Sequence, residues 1–148
     1  MKNKTILFVC TGNTCRSPMA EYILRASLKE VGIAGYKVKS AGVCATDGDK
    51  MSENSKKALK SLGIKVTNFK SKQCTASVLL SSNVTICMTA SHKDRIKNFP
   101  DVYSFNELTG IGEVIDPYGR DLDEYLETAN QLIKGCKEII KLIIKGEI

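Results

Sequence analysis

Residues 5–9, TILFV, form a short β-branched and aromatic run, the pattern of a strand buried on both faces rather than one that meets water on one side. A break follows at residues 10–17. Beyond it, Met19, Ile23, Ser27 or Leu28, and Val31 recur at helical spacing up to Gly32, with Ser17 placed to cap this helix and Pro18 suited to its first position. The alternation then repeats. YKVKSAG at 36–42 reads as a strand, 52–62 as a helix ended by Gly63, VTICM at 84–88 as a strand, 91–98 as a short helix and VYSF at 102–105 as a fourth strand. From 121 almost to the end, Leu122, Tyr125, Leu126, Ala129, Leu132, Ile133, Cys136, Ile139, Ile140, Ile143 and Ile144 make one apolar stripe, the mark of a long helix lying on its own core. Strands separated by helices require parallel pairing through right-handed crossovers. The expected architecture is α/β, a three-layer α/β/α sandwich around an open four-stranded parallel sheet, with residues 1–148 as a single domain.

Composition narrows the function classes. At 148 residues, 43% of them hydrophobic, the chain can bury the core of one ordinary domain. No run approaches the roughly 18 to 20 apolar residues of a membrane span, and the apolar stretch in MKNKTILFVC is too short for a signal peptide, so a cytoplasmic protein is expected. Twenty-two Lys and Arg against sixteen Asp and Glu give a net charge of +6, which favours anionic partners. The lysines are scattered through stretches such as KKALKSLGIK, as on solvated helix faces, and no aromatic stripe accompanies them; neither nucleic acid nor membrane is an expected partner. Six cysteines without a C-x-x-C pair read as reduced thiols, and the one histidine, His92, lacks neighbouring ligands, so no structural zinc is expected. Cys87 and Cys136 fall in apolar patterns and read as buried small hydrophobes, while Cys44 and Cys74 carry no signal.

The break after the first strand is where the chemistry concentrates. In open parallel sheets, ligands bind beyond the carboxyl ends of the strands, against helix N-termini that present unpaired N–H groups. VCTGNTCRSP, residues 9–18, occupies that place without the G-x-G-x-x-G of a dinucleotide site or the G-K-[ST] of an ATP loop. Its pattern is C-x5-R-S. The backbone of Thr11, Gly12, Asn13, Thr14 and Cys15 is long enough to curl into a cup whose N–H groups face phosphate oxygens, and Arg16 would clamp two of those oxygens. Gly12 is expected to supply a positive φ or a close approach, and Asn13 tolerates the left-handed region. Cys10 would lie beneath the phosphorus, with amides, helix dipole and Arg16 all expected to lower its pKa and make it a nucleophile.

FVCTGNTCRSPMAE, SAG at 40–42 and DPYG at 116–119 together resemble the low-molecular-weight protein tyrosine phosphatase family, in order and spacing along nearly the whole chain. The resemblance implies a flavodoxin-like fold and a two-step reaction through a phosphocysteine, with no metal or other cofactor. It assigns Cys10 as nucleophile, Arg16 as phosphate clamp and Asp116 as the acid of the first step and the base of the second. It further implies that Asn13 and Ser40 hold the loop in shape and that Ser17 supports the thiolate, beside the capping role read from the pattern. Cys15 either packs passively or forms a reversible disulfide with Cys10. Relatives often carry a histidine in the segment that here reads VTNFKSKQC, where this chain has Phe69, which leaves the backing of Ser40 and Asn13 unassigned. His92 reads as a surface or helix-start residue.

Members acting on phosphotyrosine usually carry Ile or Leu where this chain has Thr14, and an aromatic residue soon after SAG, where it reads VCATDGDKM. Both departures resemble the bacterial protein arginine phosphatase branch. A guanidinium gains from a hydroxyl, an acidic group and a stacking ring, which Thr14, Asp116 and Tyr118 can supply, with Asp47 or Asp49 as further acidic candidates. Phosphoarginine in proteins is therefore the expected substrate and phosphotyrosine the alternative. Arsenate reduction and a non-catalytic phosphate-binding module are the remaining readings; the first lacks the expected cysteine pair, and the second has no need of Cys10, Arg16 and Asp116 together. Expected partners are phosphorylated proteins, with inorganic phosphate as product and inhibitor, and the protein is expected to act as a monomer.

Overall fold

The structure, a computed structural model, describes residues 3–148. Strands β1 (Lys4–Cys10), β2 (Tyr36–Gly42), β3 (Val84–Cys87) and β4 (Val102–Ser104) form one parallel sheet in the order β2-β1-β3-β4. The helices are α1 (Arg16–Glu30), α2 (Glu53–Ser61), α3 (Ala76–Leu80), α4 (Ala90–Ile96), α5 (Phe105–Thr109) and α6 (Leu122–Ile144). From β1 the chain crosses to one side for β2 and returns to the other for β3, so the switch point of the topology lies at the carboxyl ends of β1 and β3.

Alternate β1 side chains face opposite layers, which explains the unbroken apolar run. Ile6 and Phe8 join Met19, Leu24, Leu59, Phe105, Leu132 and Ile139 in the larger core, while Leu7 and Val9 join Leu79, Cys87 and Ile96 in the smaller one. The stripe on α6 is buried at Tyr125, Ala129, Leu132, Cys136, Ile139, Ile140 and Ile143 and packs on α1, α2 and α5; its fringe residues Leu122 and Ile144 are exposed. Gly135 allows that packing, because a Cβ there would lie 1.8 Å from the ring of Phe105. Cys87 and Cys136 are fully buried, as their surroundings in the sequence indicate.

Beyond shifts of one or two residues at element ends, three differences from the expected elements have a clear local cause. Phe105 belongs to α5 rather than to a strand, because Ser104 accepts from Glu107 N–H while Glu107 accepts from Ser104 N–H, a capping box that turns the chain as β4 ends. The five-residue helix α3, capped by Thr75, is too short to show a period. Val31 does not belong to the buried face of α1: it sits at the helix end and is exposed.

Candidate active site

Residues 11–15 link β1 to α1, with Cys10 the last residue of its strand and paired in register with Gly42. Thr11 carbonyl accepts from Cys44 N–H and Cys10 carbonyl from Val43 N–H, so the loop lies against the chain leaving β2. Glycine is required at 42, since a Cβ would stand 2.4 Å from the Thr11 carbonyl oxygen. Asn13 takes the left-handed turn, with φ 56°. Gly12 does not, which corrects one half of its expected role: its φ is not positive, and a Cβ would meet only Thr14 Oγ1 at 3.8 Å.

The first turn of α1 also begins earlier than the pattern predicts. Arg16 is its first residue, Cys15 flanks it with no side-chain cap, and Ser17 and Pro18 are already helical, which corrects the capping role given to Ser17. An uncapped N-terminus leaves backbone N–H groups for an anion. Ser17 Oγ instead lies 2.8 Å from Cys10 Sγ, accepts from Asn13 Nδ2 at 2.9 Å and lies 3.3 Å from the Ala41 carbonyl.

Asn13, wholly buried, uses every side-chain atom available to it. Nδ2 donates to Ser17 and, at 2.9 Å, to Ser40; Oδ1 accepts from Lys72 N–H at 2.9 Å; and its carbonyl accepts from Ser71 Oγ at 2.6 Å. Ser40 in turn donates to Glu21 Oε1 at 2.6 Å, and Glu21 is paired with Arg25, which lies over the ring of Tyr22. Glu21 thus backs Ser40. Phe69 packs edge-on against Tyr22, on the outer side of that pair.

Arg16 is 5% exposed, and its guanidinium is anchored on three sides: Nη1 donates to Val114 carbonyl at 3.1 Å, Nη2 to Thr11 Oγ1 at 3.3 Å, and Nη2 lies 3.5 Å from Asp116 Oδ2. Asp116, half exposed, also accepts from Tyr118 N–H through Oδ1 at 3.1 Å. That turn leaves Tyr118 extended into solvent beside the carboxylate. Thr14 Oγ1 has only Cys15 Sγ nearby among the described residues, at 3.7 Å. Cys15 Sγ reaches Ser52 Oγ at 3.3 Å and Tyr125 Oη at 3.4 Å, tying the loop to α2 and α6. Asp47 accepts from Gln73 N–H, and Asp49 carbonyl from Ser71 N–H, so both hold the neighbouring segment.

The charge balance at Cys10 runs against the sequence expectation. Burial pushes the thiol above its ordinary pKa, and the Ser17 hydroxyl, the Ser17 backbone, Arg16 and the Asn13 backbone pull it down without overcoming that rise. The predicted lowering named Arg16 and the loop amides among the opposing groups, but not the Ser17 hydroxyl, the largest of them, and it left out the desolvation of a sulfur closed in by its own loop.

Three residues near the loop were given no part in it by the sequence pattern. Glu21 and Tyr125 look like ordinary positions of their helices, and only the fold brings them to Ser40 and Cys15. His92 is at a helix start, as read, but it is buried rather than on the surface, with Nε2 2.8 Å from Thr11 Oγ1. A cavity of about 740 Å³ lies behind Ser40 among Arg25, Lys37, Lys39, Lys70 and Lys72, and neither Cys10 nor Arg16 lines it.

The family described as low molecular weight phosphotyrosine protein phosphatase matches residues 5–147. Among curated relatives, the protein-arginine-phosphatase of Bacillus subtilis (strain 168) is 35% identical over 147 residues, covering 95% of this chain and 97% of its own. The low molecular weight protein-tyrosine-phosphatase PtpB of Staphylococcus haemolyticus is 35% identical over 133 residues, covering 86% and 91%. Among solved structures, the arginine phosphatase YwlE, as a Cys-to-Ser mutant with a phosphorylated active-site serine, superposes with a TM-score of 0.88 at 32% identity, covering 95% of this chain and 96% of that one. With a C-x5-R-S loop closed over a buried sulfur and a sheet and helices that superpose along almost their whole length, the chain belongs to the low-molecular-weight phosphotyrosine protein phosphatase family.

Proposed function

We propose that residues 1–148 act as one phosphatase domain that removes phosphate from arginine side chains of phosphorylated proteins. The observation that carries the substrate choice is Thr14, whose hydroxyl has, among the described residues, no hydrogen-bond partner closer than the Cys15 sulfur at 3.7 Å. A polar wall without a close partner favours a ligand with N–H groups and is left unsatisfied by a phenyl ring. The relatives named for arginine phosphatase activity support the same reading.

The proposed reaction uses three side chains, of which Arg16 and Asp116 are paired at 3.5 Å. As thiolate, Cys10 attacks phosphorus; the S–P bond forms while the P–N bond to the substrate guanidine breaks, and the Asp116 carboxyl gives its proton to the departing nitrogen. Arg16, fixed by Val114 and Thr11, neutralises charge on the transferring oxygens. Water then attacks the phosphocysteine, passes its proton to Asp116, and the S–P bond breaks to release phosphate and thiolate. The Ser17 hydroxyl, able to donate to the thiolate at 2.8 Å, offsets part of the cost of burying it. Asn13, Ser17 and Ser40 keep the loop's shape, and Tyr118 stacks on the substrate side chain. Inorganic phosphate, as product, occupies the same cradle and inhibits. Among the described residues no helix is long and apolar enough to cross a membrane, and the protein is taken to work in the cytoplasm as a monomer.

Phosphotyrosine is the second reading, favoured by Tyr118, which is 73% exposed beside Asp116 and able to stack on a phenyl ring. The test is direct. Purified protein should hydrolyse para-nitrophenyl phosphate without added metal, and Cys10→Ser should lower turnover by about 10³-fold or more while still binding phosphate. On paired phosphoarginine and phosphotyrosine peptides, Thr14→Ile should shift the ratio of kcat/KM towards phosphotyrosine by about 10-fold. An unchanged ratio overturns the role given to Thr14, and a metal requirement overturns the mechanism.

A further inference from the structure

His92 enters the loop network from the far side of the switch point. It lies in the first turn of α4, after β3, and is 5% exposed. Its Nε2 is 2.8 Å from Thr11 Oγ1 and its Nδ1 2.9 Å from Thr89 Oγ1. Thr11 Oγ1 is also the acceptor of the Arg16 Nη2–H bond at 3.3 Å. The charged groups facing the ring are Arg16 from α1, Arg95 from α4 itself, and Asp116 and Glu113 from the segment between α5 and α6. Burial and Arg16 disfavour a second positive charge here and move the His92 pKa down to about 4, so at neutral pH the imidazole has a single N–H.

With one ring proton, one of Nε2 and Nδ1 donates and the other accepts. Thr11 Oγ1 accepts from Arg16 and has one hydroxyl proton to give, and in the tautomer with Nε2 unprotonated that proton goes to His92. The ring proton then sits on Nδ1 and is donated to Thr89 Oγ1, which also accepts from His92 N–H at 3.3 Å. We propose that His92 is a positioning residue for the phosphate clamp: by taking the Thr11 proton it turns a Thr11 lone pair towards Arg16 and so holds the guanidinium in the attitude that binds phosphate. This rests on reading residues 10–16 as the phosphate cradle.

The test compares side chains that reach one bond or the other. In His92→Asn the amide falls near the former Nδ1, keeping Thr89 and losing Thr11; in His92→Gln it extends to the former Nε2, where its oxygen can still accept from Thr11. Inorganic phosphate is the probe for binding and para-nitrophenyl phosphate for kinetics, with the thermal midpoint measured for each variant. His92→Asn should weaken phosphate binding and raise KM by about 10-fold, with His92→Gln restoring most of the loss. Thr11→Val should match His92→Asn, Thr11→Ser should recover, and Thr11→Val with His92→Asn should be no worse than Thr11→Val alone. Equal behaviour of Asn and Gln, multiplying losses in the double variant, or a lowered thermal midpoint with unchanged phosphate affinity would overturn the proposal. If His92→Asn does not fold, the Thr11→Val and Thr11→Ser pair decides alone. Failure of the cradle reading looks different, because the wild-type protein would then bind no phosphate.

Discussion

At the scale of single residues, the loop is a contest between burial and hydrogen bonding over one sulfur. Cys10 is sealed beneath its own loop, which raises its pKa, and the largest of the opposing effects is the Ser17 hydroxyl at 2.8 Å. Removing that hydroxyl removes a donor to the thiolate without opening the site. Ser17→Ala is therefore expected to raise the thiol pKa further and to lower the thiolate fraction at any pH below it. Alkylation of Cys10 by iodoacetamide at neutral pH should slow by about 10-fold, the order of one hydrogen bond to a charged group. A pH series should show the inflection moving upward. Asn13 shows a related economy: a left-handed residue that satisfies both ends of its amide holds the turn through buried bonds to Ser17 and Ser40 and a part-buried one from Lys72 N–H. The sequence marks Asn13 as able to adopt this conformation; besides Ser17, its side-chain partners come from residues 27 and 59 positions away.

Among the elements, the strands and the long helix were the most legible, because their periods run over many residues. TILFV, YKVKSAG and the α6 stripe each lie where the pattern puts them. Errors gathered at the junctions. Ser17 and Pro18 look like a helix start, yet α1 begins at Arg16 with Cys15 before it and no side-chain cap, and the Ser17 hydroxyl turns to Cys10 instead. Phe105 looks like the end of a strand, yet Ser104 and Glu107 close a capping box that pulls it into α5. Its ring then fills the space over Gly135, so α6 approaches α5 only as closely as that glycine permits. Gly135→Ala is expected to destabilise by about 1–3 kcal/mol through overpacking, despite alanine's better helix propensity. Chemical denaturation should show the loss, with KM for para-nitrophenyl phosphate unchanged, since the atoms a Cβ at 135 would meet belong to Phe105, which is not part of the loop network.

The whole molecule brings the two halves of the topology together at the ends of β1 and β3, and His92 is the group through which that arrangement responds to pH. Its imidazole stays neutral in the folded protein down to about 4, whereas in the unfolded chain it takes a proton near 6.5. Between those values the unfolded state binds more protons, so stability is lost as pH falls through that window; above 6.5 this residue contributes no slope. The full loss is on the order of 3 kcal/mol. Thermal midpoints of wild type and His92→Gln, followed from pH 7 to pH 4, should diverge with the wild type falling more steeply. Parallel curves would mean that the ring is protonated in the fold.

Asp116 became a candidate acid only through the family resemblance; from residue order alone came the strand and helix alternation, the parallel sheet, and the C-x5-R-S loop at a strand's carboxyl end, with Cys10 as candidate nucleophile and Arg16 as candidate clamp. These are local or periodic properties, fixed by short-range backbone sterics and by the side-chain types that phosphate chemistry needs. Tertiary structure decided what stands behind them: Glu21 under Ser40, Tyr125 beside Cys15, His92 against Thr11, and the burial that raises the Cys10 pKa. Those depend on contacts between elements far apart in the chain and on the exclusion of water from the space they share. Neither leaves a period or a spacing in the sequence.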